Sequence, residues 1–209
     1  MFSFFKKHIE MCSQRAFLEK LYHLRRNEDH LLATIAVNSF DNAIHNIDRA
    51  YLNQEFIVDN MFEGILLALG CLNAGERFHG ISAIINPDHW LHDEHLIKYK
   101  ELNYQKIAEG VEIQRIFILQ NQTEIELMTN IMNEQVENGV DVRYCLEDDL
   151  KHVSFFPDVT ILPERKSVLY VPNLNKLMQC YVSNNPKVVK DIQKDYENIR
   201  KKAQKWKVK

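Results

Sequence analysis

Glu109-Gly110-Val111-Glu112-Ile113-Gln114-Arg115-Ile116-Phe117-Ile118-Leu119 decides the fold of this chain. A polar turn with a glycine opens onto β-branched and aromatic residues, the composition of a strand. The same device recurs as Glu137-Asn138-Gly139-Val140-Asp141-Val142-Arg143-Tyr144. Between the two copies, Thr123 is placed to cap a helix carrying Ile125, Met128, Ile131, Met132 and Val136, and Gly139 stops it. A helix set between two strands, each strand entered through Gly-Val, marks an α/β unit.

Working outward, Phe78 to Ile85 reads as a strand closed by Asn86-Pro87, and a helix is expected from about Asp88 to Ala108. Asp158–Leu162 and Ser167–Val171 read as two strands joined by a turn at Pro163-Glu164-Arg165-Lys166. The resulting fold class is α/β (α+β), a mixed sheet flanked by helices. Upstream, residues 3–72 hold no proline, and their glycines are Gly64 and Gly70. Phe17, Leu18, Leu21, Tyr22 and Leu24 form one helical stripe. Asp41 precedes a second, with Ile44, Ile47, Tyr51 and Leu52, and Asp59 a third, with Met61, Phe62, Ile65, Leu66 and Leu69. Leu31 to Val37 fits either helix or strand. The expected organisation is a helical N-terminal region at 1–73, an α/β domain at 74–183 and a basic C-terminal helix at 184–209.

That last helix carries Val189, Ile192, Tyr196, Ile199, Ala203 and Trp206 at steps of three and four, one apolar stripe. Residues 187–209 contain nine Lys or Arg against three Asp or Glu, a local charge of +6, on a chain whose net charge is −3. The charge is therefore segregated, a basic tail on an acidic body. Across the 209 residues, 45% are hydrophobic and 26% charged, the balance of a globular protein. Cys12, Cys71, Cys145 and Cys180 fit neither a metal pair nor a disulfide frame, which points to reduced thiols in the cytoplasm. The longest apolar run, Gly64 to Leu72, is short of the ~20 residues a membrane span needs. Met1-Phe2-Ser3-Phe4-Phe5-Lys6-Lys7 lacks the apolar segment of a signal peptide, so export is not expected.

Several groups invite a functional reading. His89, His92 and His95, beside Asp88, Asp93 and Glu94, are weak metal candidates. Steps of three on a helix bring the first two near one ion, while the third has drifted about 120° around the axis from the first. The alternative is an exposed polar helix start. Glu147-Asp148-Asp149 reads as a cation site or as a solvated acidic loop. Trp90 reads as a stacking platform or as a core anchor. Arg115 interrupts an apolar strand and must be paired, either with an anionic ligand or with a carboxylate such as Asp158. Neither a Walker loop nor GxGxxG occurs, and no cofactor is expected. Three readings stand for the basic tail: packing on the body, pairing with a partner helix or its own copy, and contact with phosphates of nucleic acid or an anionic membrane.

The order Gly75-Glu76-Arg77, Trp90, Asn103, Gly110-Val111-x-Ile113-x-Arg115-Ile116-Phe117-Ile118, Gly139-Val140-x-Val142 and Asp158-Val159 resembles the phospholipase D-like domains of bacterial regulatory and sensor proteins. The resemblance covers roughly residues 75–182. It implies a ligand-facing Trp90 and Asn103 on a helix, a homodimer built by pairing sheets, and a cytoplasmic regulatory role. Catalytic members of that superfamily carry His-x-Lys-(x)4-Asp, in which the histidine attacks phosphorus. Here Phe156 or Pro157 falls at the histidine position, and no histidine in the chain is followed two residues later by lysine. The expectation is a non-catalytic regulatory, ligand-sensing or protein-interaction module, with Trp90, Asn103, Arg115 and Asp158 as ligand-binding residues. The alternatives are a phosphodiesterase or nuclease using other residues, and attachment to nucleic acid or membrane through the basic helix.

Overall fold

The computed structural model describes residues 19, 20, 22, 31–83, 87–150, 158–171 and 179–208. The chain divides into two units, residues 1–52 and 53–209. In the first, helix α1 (Leu31–Asn53) answers the ambiguity at Leu31 to Val37 in favour of helix, and Asp41 lies within it instead of capping it. Phe17, Leu18, Leu21 and Leu24 lie outside the described residues.

In the second unit the chain runs β1 (Glu55–Val58), α2 (Met61–Gly70), β2 (Arg77–Ala83), α3 (His89–His92), α4 (Glu94–Ala108), β3 (Glu112–Leu119) and α5 (Gln122–Glu137). It continues with β4 (Asp141–Leu146), a 3-10 turn (Glu147–Leu150), β5 (Asp158–Leu162), β6 (Ser167–Tyr170), β7 (Cys180–Ser183), α6 (Pro186–Lys202) and β8 (Gln204–Lys205). These strands form one mixed sheet in the order β1-β7-β6-β5-β2-β3-β4-β8. The β2–β3 and β3–β4 pairs are parallel. All others are antiparallel.

The repeated Gly-Val device has a specific geometry. Gly110 and Gly139 have φ of 95° and 91°, the left-handed region open to glycine. The Gly110 N–H donates to the Ile107 carbonyl and the Val111 N–H to the Lys106 carbonyl. Gly139 and Val140 repeat this with Val136 and Gln135. Each is a Schellman motif ending a helix, and the valine that follows is buried and lies immediately before the next strand.

β3 is apolar along most of its length because it is covered on both faces. Ile113, Phe117 and Leu119 join the core beneath α2, α4 and α5, together with Phe78, Trp90, Tyr99 and Met128. Ile116 and Ile118 join the opposite core with Ile81, Val159, Ile161 and the inner stripe of α6. That stripe (Ile192, Tyr196, Ile199) is thus buried on the body of its own chain, the first of the three readings of the tail.

The domain boundaries differ from those read in the sequence. Residues 55–58, placed in a helical region, form a strand, because Glu55–Val58 pairs with Cys180–Ser183. Residues 53–73 and 184–209 belong with the sheet, since α2 and α6 complete its two cores. Asn60, not Asp59, caps α2 by accepting from the Phe62 and Glu63 N–H groups. The helix expected from Asp88 is broken, because Asp93 is extended and caps α4 through the His95 and Leu96 N–H groups. Asn121, not Thr123, caps α5. α6 ends at Lys202, so Ala203 and Trp206 are buried beyond the helix.

Candidate functional site

Two rows of residues crossing the sheet build the site. Leu169, Thr160, Gly80, Arg115 and Val142 are successive register partners from β6 to β4. Asp158, Ser82 and Phe117 form the neighbouring row. Directly paired residues share a face. At Gly80 the first row lacks a side chain, and its flank is the small Thr160; the second row has the small Ser82. A cavity of about 290 Å³ lies above this gap, walled by Met61, Phe62, Trp90, Leu96, Leu169 and Val171. Its polar edge includes Ser82, His89, Asp93, Tyr99, Asp158 and Thr160.

Arg115 is 1% exposed and holds the floor together. One terminal nitrogen donates to Gln135 Oε1 at 3.1 Å. The other donates to Tyr99 Oη at 2.7 Å and to Asn103 Oδ1 at 3.1 Å. Asn103 is oriented in turn by donating to the Tyr99 carbonyl. The guanidinium carbon lies 4.6 Å from the Tyr99 ring centroid and 5.2 Å from that of Trp90. A buried cation is tolerable here because acceptors and aromatic faces replace its water.

Asp158 stands at the start of β5 and accepts a hydrogen bond from Ser82. Burial pushes its carboxyl up to about 7, against the opposing pull of Arg115 and Ser82. Near neutral pH it exists in both protonation states, able to donate or to accept. Burial also pushes the Tyr99 phenol up, keeping it protonated.

The structure therefore brings Trp90, Asn103, Arg115 and Asp158 into one neighbourhood. Trp90 and Asp158 line the cavity, while Arg115 and Asn103 lie beneath its wall. The terminal nitrogens of Arg115 donate to neutral acceptors, its buried Nε has no hydrogen-bond partner among the described residues, and Asp158 acts on it as a nearby charge. Tyr99 and Gln135 were not singled out in the sequence. Tyr99 was findable, standing one helical turn before Asn103 on the same face. Gln135 was findable as a polar residue beside the apolar stripe of α5.

The histidine cluster is divided between two helices. His89 and His92 lie on α3, with His92 Nδ1 3.2 Å from the Asp88 carbonyl, and His95 on α4 stacks on Phe62 at 5.2 Å. Among the described residues no three His, Cys, Asp or Glu side chains are grouped to hold a metal ion. That finding also covers Glu147, Asp148 and Asp149, which form the 3-10 turn. Phe156 and Pro157 lie outside the described residues. No helix among the described residues is long and apolar enough to cross a membrane.

Fold and site define a mixed α/β sheet domain with a small, mostly apolar cavity on one face. No protein-family model matches the chain, and no curated protein matches it. Among solved structures it is similar to TrmBL2, an archaeal chromatin protein described as showing a novel mode of DNA binding. The identity is 11% and the TM-score 0.45, over 92% of this chain and 69% of that one. It is also similar to Nuc from Salmonella typhimurium, a phospholipase D family member, at 11% identity and a TM-score of 0.47, over 73% of this chain and 99% of that one. NucT from Helicobacter pylori is similar at 11% identity and 0.45, over 73% and 97%. Likenesses this distant assign neither an activity nor a ligand.

Proposed function

We propose that this chain is a ligand-sensing module on a phospholipase D-like scaffold whose nucleophile is missing. Its ligand is a small molecule with an apolar body and one basic or hydrogen-bond-donating group. The observation that carries this reading is the cavity itself: an apolar, aromatic wall closed on one side by Asp158. Such a wall with few convergent polar groups is the usual form of a small-molecule site. An anionic ligand is disfavoured, because its charge would face Asp158 and Asp93. A basic ligand instead draws Asp158 into its ionised form and pairs with it. The absence of any His-x-Lys pair supports the non-catalytic part of the reading.

The test is native mass spectrometry of gently purified protein, followed by thermal-shift titration with 2-phenylethylamine and its neutral analogue 2-phenylethanol. A retained small mass, or a stabilising shift larger for the amine, is expected. The shift should disappear in Asp158→Asn and in Ile65→Trp, which fills the cavity. No retained mass together with no shift from either probe would sink the proposal.

A further inference from the structure

α6 presents two opposite faces. Ile192, Tyr196 and Ile199 point into the core, while Lys187, Lys190, Lys194 and Lys201 are exposed. At 100° per residue the four lysines fall within an arc of about 60°, centred opposite the buried stripe. They extend over about 21 Å of helix. Asp191, Asp195 and Glu197 lie outside that arc. Neighbouring cations are engaged within the protein: Lys202 donates to the Asp149 carbonyl, Lys205 pairs with Asp141 at 3.1 Å, and Arg200 lies 3.7 Å from Glu197. Among the described residues, the ammoniums of the four-lysine row have no such partner.

We propose that this lysine row docks the phosphodiester backbone of a nucleic acid. A straight row one residue wide matches a linear polyanion. A helix lying in a membrane would need its apolar face for the lipid, and here that face is buried in the protein's own core. The row offers ammoniums and no bidentate base-reading group, so binding is independent of sequence. With the whole chain at −3 and residues 187–209 at +6, attraction is confined to this helix and the short segment after it, and is easily screened. The row lies across the sheet from the cavity and does not depend on the reading of that site.

The experiment is fluorescence anisotropy of the full chain with a labelled oligonucleotide of mixed sequence, single-stranded and duplex, over a salt series. Vesicles of phosphatidylserine and phosphatidylcholine are tested in parallel by sedimentation. Four contacts predict a log–log salt slope of about −3 for the single strand and about −4 for the duplex. Each Lys→Gln change in the row should reduce the single-strand slope by about 0.7. The fourfold variant should lose binding with an unchanged thermal midpoint, since all four side chains are in water. Lys98→Gln with Lys166→Gln, elsewhere on the surface, should leave binding intact. No oligonucleotide binding at low salt, a salt slope unchanged in the fourfold variant, or capture by anionic vesicles but not by oligonucleotide would each overturn the proposal.

Discussion

Replacing Asp158 with asparagine tests the electrostatics of the cavity. Its carboxyl rises from an ordinary 3.8 to about 7 on folding, because burial outweighs the attraction of Arg115. A folded-state pKa above the unfolded one means that the folded protein holds the extra proton between those values. The wild type therefore loses stability as pH rises from about 4 to about 7, and is most stable, with respect to this group, below that window. At about 1.4 kcal/mol per pH unit the full shift is worth about 4 kcal/mol. Asp158 retains some solvent contact, so about 2–4 kcal/mol is expected. Asparagine keeps the shape and stays neutral, so its stability lacks this term. Urea unfolding of both proteins from pH 4.5 to 8, fitted by linear extrapolation, isolates the difference. Asp158→Asn should gain on the wild type steadily with pH and level off above neutrality. Parallel stability curves, or an asparagine variant that loses ground as pH rises, would refute the argument, since Arg115 would then dominate.

Arg115→Met should cost about 3–5 kcal/mol in urea unfolding, because it strands the acceptors on Tyr99, Asn103 and Gln135. Arg115→Lys should recover little, since one ammonium cannot reproduce the fork. Gly110→Ala should cost about 1–2 kcal/mol, because φ is +95° and the new Cβ would lie 3.1 Å from Ala74 Cβ. A cost below a few tenths would show that the turn relaxes. Asn60→Ala should cost about 1 kcal/mol by removing the cap of α2, read from the same unfolding curves. Iodoacetamide at pH 8 should label exposed Cys71 quickly. Cys145 and Cys180, buried with thiols pushed up to about 12 and about 11, should label when the chain is unfolded, as peptide mapping will report.

The central strands were legible because each carries its own signal. β3 and β4 follow a left-handed glycine, and their apolar residues serve cores on both faces. β1 and β7 carry no such mark. Each has four residues, and they pair from distant parts of the chain, so neither reads as a strand without the other. The break between α3 and α4 was hidden for a similar reason. Asp88 and Asp93 are equally good caps by type, and the extended backbone at Asp93 is set by its tertiary setting. Of the site, Arg115 announced itself as a charge in an apolar strand. Asn103 was named through the resemblance, but its pairing with Arg115, like that of Tyr99 and Gln135, was not legible, because the three meet the guanidinium only after two helices pack on the sheet. The cavity was invisible too: it arises where Gly80 faces Thr160 and Ser82 faces Asp158 across strands, a register that no single segment records.

The order in which the sheet is completed has a consequence for how this chain is made. β7, α6 and β8 follow all the other elements in sequence order, yet β7 holds β1 in place, α6 packs on one of the two cores and β8 pairs with Arg143 and Tyr144 of β4 at the far edge. Until those last segments emerge from the ribosome, one face of the sheet stays uncovered and β1 has no strand to pair with. Such long-range closure is slow and leaves apolar surface open to other nascent chains. A ribosome stalled before Pro186 should therefore carry a chain that engages chaperones, and its release should coincide with synthesis of α6.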